Sequence, residues 1–139
     1  MDRNAFFWQI QDGRLPSPEA ARTLGASIVS VDSDTGSIEI EFEGKEAFVN
    51  PAGKIQGGFL SAMLDDTMGP ALAATLKAGE FAPTLDLHVQ FLHPAVPGKL
   101  RGTGRVVRRG GTVCFLAGAL SQDGHLVATA TATALIRKL

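Results

Sequence analysis

Apolar and polar residues alternate along several stretches of this chain, and one stretch between them is apolar almost all the way round. Ile38, Ile40 and Phe42 alternate with Ser37, Glu39 and Glu41, the period-two signature of a half-buried strand. Ile28 to Val31 reads as a strand before it, joined by the turn Ser33-Asp34-Thr35-Gly36. Leu85, Leu87, Val89 and Phe91 alternate with Thr84, Asp86, His88 and Gln90, and Pro94 and Pro97-Gly98 close that run. Lys99 to Arg108 and Thr112 to Ser121 follow as strands around an Arg109-Gly110-Gly111 hairpin turn. After Gln122-Asp123-Gly124 comes "LVATATATALI". In it Ala128, Ala130, Ala132 and Ala134 share one face, and Thr129, Thr131 and Thr133 the other. A row of alanines lets a bulky helix come close to a sheet.

The spacing predicts that helix over residues 57–77. Phe59, Leu60, Met63, Leu64, Met68, Leu72 and Leu76 surround it, so it should be buried. Its one small or polar stripe is Gly58, Ser61, Ala62, Asp65, Gly69 and Ala73, open to another backbone or to a ligand beside Asp65. Pro70 removes the bond to the carbonyl of Asp66 and should kink the helix. A shorter N-terminal helix is predicted at Ser17-Pro18-Glu19 through Gly25, with Ser17 as cap and Pro18 in the first turn. Phe6, Phe7, Trp8 and Ile10 precede it as an apolar arm. The order of elements predicts an α+β fold, an antiparallel sheet wrapped around one long helix. We expect a single domain over residues 1–139, with 1–24 as arm and short helix.

Composition narrows the function. Thirteen basic residues against 14 acidic ones leave no basic stripe, so nucleic acid is not expected as a partner. No segment is long and apolar enough to suggest a membrane span, and the N-terminus lacks the apolar core of a signal peptide. One cysteine excludes an internal disulfide and suits a reducing compartment, so a cytoplasmic location is expected.

The candidate chemistry lies in "NPAGKIQGGFLSAMLDD". Asn50, Pro51 and Gly53 make a turn, and Gly57 and Gly58 open the long helix. An N–H at a helix start has no intrahelical acceptor and carries partial positive charge. A glycine there lets a ligand approach closely. Asp65, two turns on, is a candidate base or nucleophile. A donor and a carboxylate together form a minimal kit for attack on a carbonyl. Asp66 has the same chemistry about 100° round the helix and reads as interface or solvent. Ser61 shares the Asp65 face but lacks a nearby His, so it reads as a small packing residue. His88 and His93 point to opposite faces with no completing ligands, so no metal is expected. His125 reads as solvated, Cys114 as an inert packed thiol, and Arg105, Arg108 and Arg109 as a solvated hairpin end.

Asn50…Gly53…Gln56-Gly57-Gly58…Asp65, followed by Thr84-Leu85-Asp86…Phe91-Leu92…Pro94, resembles the hotdog-fold acyl-CoA thioesterases. Within them it is most similar to the phenylacetate-pathway and 4-hydroxybenzoyl-CoA branch, across about residues 24–137. The resemblance implies a cofactor-free thioester hydrolase for acyl-CoA. It also implies a homodimer or dimer of dimers, with sheets paired edge to edge and active sites at the subunit interface. Carried over by position, Gly57 donates its N–H to the thioester carbonyl, and Asp65 is base or nucleophile. Asn50 sits beside the thioester or the attacking water, and Thr84 orients water or carboxylate. Gly58 and Ser61 fall on the substrate-binding side. The position before the glycines is usually His in that branch and is Gln56 here. An amide can donate or accept a hydrogen bond but does not titrate, which makes its expected role positional. Phe6, Phe7, Trp8, Phe59 and Phe81 are candidates for an apolar pocket taking a medium-chain or aryl acyl group. Two other readings remain open: a non-catalytic acyl-CoA binder, and a hotdog hydratase or dehydratase. A hydratase usually places a His within a few residues of the helix Asp, and no His occurs here between Asp65 and His88.

Overall fold

The computed structural model describes residues 1–139. Six strands form one antiparallel sheet: β1 (Ser27–Asp32), β2 (Ser37–Gly44), β4 (Thr84–Phe91), β5 (Gly98–Arg109), β6 (Val113–Gln122) and β7 (His125–Leu135). Their order across the sheet is β1-β2-β5-β6-β7-β4, so β1 and β4 are its edges. A two-residue ladder pairs β3 (Glu80–Phe81) with β8 (Arg137–Lys138). The helices are α1 (Phe6–Gln11), α2 (Glu19–Thr23) and the long α3 (Gly57–Ala73). One antiparallel sheet around one long helix is the hotdog architecture that the resemblance implied. No helix is long and apolar enough to cross a membrane.

The packing follows from side-chain size. Met63, Leu64, Met68 and Leu72 on α3 are fully buried against Phe42, Leu100, Leu116 and Leu120 from the sheet. Where α3 crosses β5, the strand carries Gly102 and Gly104, and a Cβ at Gly104 would sit 3.0 Å from the Thr67 carbonyl oxygen. The buried Thr67 returns its hydroxyl to the Met63 carbonyl at 2.7 Å. Ala128, Ala130, Ala132 and Ala134 are all buried, as their alternation predicted.

Four details differ from expectation. The apolar arm is itself helical: α1 packs Phe7 and Trp8 inward, and the Trp8 indole N–H donates to the Ala74 carbonyl at 3.0 Å. Ser17 does not cap α2, which begins at Glu19 behind Pro18 with no side-chain cap. The long helix ends at Ala73, four residues earlier than predicted. There Thr75 turns its hydroxyl back onto the Leu72 carbonyl at 2.7 Å. The β3–β8 ladder was not anticipated, because two residues cannot display a period.

Candidate active site

The loop before α3 is built around Asn50. Its Oδ1 accepts the N–H groups of Ala52 at 2.9 Å and Lys54 at 3.1 Å, and Gly53 completes the turn in the left-handed region at φ +76°. Ile55 donates to the Ala95 carbonyl and Gln56 to that of Phe48, each at 2.9 Å. These bonds fix where α3 begins. Gln56 is its N-cap, with extended φ −65° and ψ 140°, and its side chain neither caps the helix nor bonds elsewhere. The N–H groups of Gly57 and Gly58 reach no backbone acceptor. They remain available as donors at the positive end of the helix. Gly57 lies against the end of β4: an added Cβ would meet the Phe91 ring at 3.0 Å. Gly58 is open, with nothing within 4 Å of such a Cβ.

Asp65 belongs to a different neighbourhood. The Thr84 hydroxyl, at the opposite end of β4, donates to Asp65 Oδ1 at 2.9 Å. This leaves Oδ2 free. Asp65 stands in the wall of a mainly apolar cavity of about 700 Å³, between α3 and the N-terminal helices. Ala62, Asp66, Gly69 and Ala73 continue that wall, while Phe6, Phe7 and Phe81 cover it. The expected Trp8 and Phe59 do not line it: Trp8 is tied to Ala74, and Phe59 stacks on Phe48 with centroids 4.2 Å apart. Ser61 is half-buried, makes no side-chain hydrogen bond and lies outside the cavity.

Asp66 corrects the sequence reading. It is not a solvent-facing residue but a half-buried one in the cavity wall, beside Asp65. Burial, and then the Asp65 charge, push its carboxyl up from 3.8 to about 6. The signal was present in the chain, since Asp66 lies four residues after Ala62 and three before Gly69 and so joins the small stripe. The roof supplied by Ile10, Ala20, Ala21 and Leu24 had no such signal, because only tertiary folding brings α1 and α2 over α3.

Within one chain the two halves of the candidate site do not meet. Gly57 and Asp65 are eight residues apart on a helix, roughly 12 Å along its axis. One carbonyl cannot reach both. Each half marks one end of β4, however, and β4 is an open edge. The other candidates are dispersed. His93 and His125 stack with centroids 4.7 Å apart, which sequence spacing did not show, and no group of three or more ligating side chains gathers anywhere. Arg109 is not a free hairpin cation: it donates to the Thr75 carbonyl at 2.7 Å. Cys114 is buried, and burial pushes its thiol up.

Residues 48–135 match the family model described as the acyl-CoA thioesterase N-terminal domain. A candidate thioesterase of Ralstonia eutropha JMP134, described as related to phenylacetic acid degradation, is 48% identical with a TM-score of 0.92. That match covers 94% of this chain and 98% of the other. The PaaI protein of the Escherichia coli phenylacetic acid degradation operon shares the fold at 21% identity and a TM-score of 0.82, over 96% and 93% of the two chains. A candidate esterase of Saccharolobus solfataricus is 30% identical over 90 residues, which span 65% of this chain and 62% of that relative's length.

Proposed function

The chain belongs to the acyl-CoA thioesterase family of thioester hydrolases, and we propose that it hydrolyses a medium-chain or aryl acyl-CoA to the free acid and CoA. The observation that carries this reading is the Asp65 carboxylate, held by Thr84 in the wall of the apolar cavity. The Gly57 N–H of one protomer polarises the thioester carbonyl, and Asp65 of a second protomer supplies the carboxylate. Antiparallel pairing of two β4 edges supports that arrangement. It brings the Thr84 end of one strand beside the Phe91 end of the other, and with them Asp65 beside the second chain's Gly57. A homodimer is therefore the minimum active unit, and dimers can pair further.

With Asp65 as base, Oδ2 takes a proton from water while the water oxygen bonds to the carbonyl carbon. The tetrahedral oxyanion rests on the Gly57 N–H. Its collapse breaks the C–S bond and releases the thiolate, which is then protonated. As a nucleophile, Asp65 would instead attack the carbonyl carbon and expel the CoA thiolate, forming an anhydride with the acyl group that water then cleaves to the free acid and the regenerated carboxylate. In either route Thr84 fixes one carboxylate oxygen and leaves the other for reaction. Asn50 has its oxygen committed to the loop, so only its Nδ2 is left for the thioester or the water. Gln56 stands exposed at the helix start and serves by position. The Ralstonia relative's link to phenylacetic acid degradation supports an aryl substrate, as do the phenyl rings over the cavity. The single, buried cysteine agrees with a cytoplasmic location.

The test is release of free thiol from a panel of acyl-CoA substrates, with two inactive variants. Gly57→Pro removes the donor at a position where proline suits a helix. Asp65→Asn removes the carboxylate. Each should be inactive alone. Mixed in equal amounts after unfolding and refolding, they should recover about a quarter of wild-type turnover, since half the dimers each hold one intact site. No recovery would reject the shared site. No thiol release by wild type from any acyl-CoA would reject hydrolysis in favour of acyl-CoA binding.

A further inference from the structure

The cavity beside Asp65 contains a second carboxyl that hydrolysis does not use. Asp66 sits between Ala62 and Gly69 on the same face of α3, and its side chain accepts no hydrogen bond from the protein. No buried side-chain oxygen lacks a partner, so the Asp66 oxygens remain reachable from the cavity. The other charged groups facing this space are Asp65 on the same helix and Arg22 on α2. The Arg22 guanidinium is engaged by Glu19 at 3.2 Å. Asp66 is therefore a polar group on an otherwise mainly apolar wall, without a protein partner.

The occupant follows from continuity with the reacting carboxylate. A thioester carbonyl held at Asp65 directs its acyl group along α3, where the wall from Asp66 to Ala73 runs roughly 10 Å. Gly69 lies midway, and an added Cβ there would meet nothing within 4 Å, so the space beside it is open. An acyl group in this recess displaces water from Asp66. A methylene placed against the carboxyl leaves it desolvated and unpaired, which is costly. A hydroxyl suits either protonation state, because it donates to a carboxylate and accepts from a carboxylic acid.

We propose that Asp66 is a specificity-determining residue, whose carboxyl selects acyl groups carrying a hydroxyl near the thioester over wholly hydrocarbon ones. The inference rests on the hydrolase reading for the identity of the occupant. It does not rest on turnover. With burial holding the carboxyl near 6, a hydrocarbon ligand favours the protonated form, and its affinity falls as pH rises through that value.

The experiment uses thioethers, which bind but cannot be hydrolysed. Binding of S-octyl-CoA, and of its analogues bearing a hydroxyl at successive carbons, is measured by calorimetry with the 139-residue chain. Above neutral pH, wild type should prefer its best hydroxylated ligand by about tenfold or more. Asp66→Leu should abolish or invert that preference. Asp66→Asn, nearly isosteric, should keep hydroxyl recognition while hydrocarbon binding becomes independent of pH between about 5 and 8. Gly69→Leu should weaken all the octyl ligands while sparing S-ethyl-CoA, which places the chain in this recess. Equal affinity of wild type for hydroxylated and plain chains would overturn the proposal. So would a preference that survives Asp66→Leu, or octyl binding untouched by Gly69→Leu. A wild type that discriminates among thioethers but releases no thiol from thioesters would reject hydrolysis and retain the role of Asp66.

Discussion

The two free edges of the sheet treat their exposure in opposite ways. β1 is six residues long, is interrupted by a register shift between Ile28 and Ser30, and carries Ser27, Ser30 and Asp32. Val29 is its one strongly exposed apolar residue. β4 is also shifted in register, between Thr84 and Asp86, but it has eight residues, with Leu85 60% exposed and Phe91 54%, and Leu92 just beyond it is 55% exposed. Short polar edges deter pairing, whereas longer edges with exposed apolar residues template it. The difference also maps onto chemistry. The cavity lies under α1 and α2 and reaches from Ile28 of β1 to Thr84 at one end of β4. The β4 side is bare and carries, at its two ends, the contacts of Asp65 and Gly57. One edge offers a second strand little apolar surface, and the other presents Leu85 and Phe91 to it.

The largest break in this contrast is chemical. Asp65→Asn keeps the Thr84 contact geometry but cannot take a proton or attack, and turnover should drop on the order of 10²-fold or more. Near wild-type turnover in that variant, with Asp66→Asn inactive, would move the reaction to Asp66. The next test sets one edge against the other. Leu85→Glu puts charge on the bare edge and should yield monomers in sedimentation, with activity lost in proportion. Val29→Glu, on the blunted edge, should leave both assembly and activity unchanged. Equal effects of the two would erase the distinction.

Two smaller effects probe the covered side. The Asp66 carboxyl binds its proton more tightly in the folded chain, at about 6, than in the unfolded chain at 3.8. The folded state therefore holds more protons between those values. Stability from this group is complete below about pH 4 and is lost as pH rises through 6. Asp66→Asn should raise stability by roughly 2–3 kcal/mol near pH 8 and give no gain near pH 4, read by chemical denaturation. Trp8→Phe, which strands the buried Ala74 carbonyl, should cost about 1 kcal/mol in the same assay.

Much of the fold could be read from periodicity. Alternation at residues 37–42 and 84–91, and the alanine row of β7, gave strands because each has a face to bury. The nearly all-apolar 57–73 run gave the central helix for the same reason. Reading failed where the cause is tertiary. α1 is only six residues, too short to display an amphipathic period, and is held by Trp8 reaching Ala74. The end of α3 is set by the turn at Thr75, not by a glycine or proline. At the site, the spacing to the glycines singled out Asp65, and the structure sets the Thr84 hydroxyl against it at 2.9 Å. Asp66 was assigned to interface or solvent because its face was weighed alone and not together with Ala62, Gly69 and Ala73, beside which it lines the cavity half-buried. The separation of Gly57 from Asp65 was implicit in helix rise; which strand forms the open edge was not.

The wedge of Thr67 against Gly104 bears on how such a protein can diversify. It pins the segment holding Asp65 directly to the middle of the sheet, so this carboxylate is registered to strands within the family-matched residues 48–135. The roof of the cavity comes from α1 and α2, both upstream of that stretch. The carboxylates Asp65 and Asp66 and the covering helices thus lie in separate stretches of the chain. Substitutions within residues 6–24 can reshape the roof while both carboxylates stay in place. A chimera that exchanges residues 1–24 with those of a related thioesterase is the natural unit of recombination.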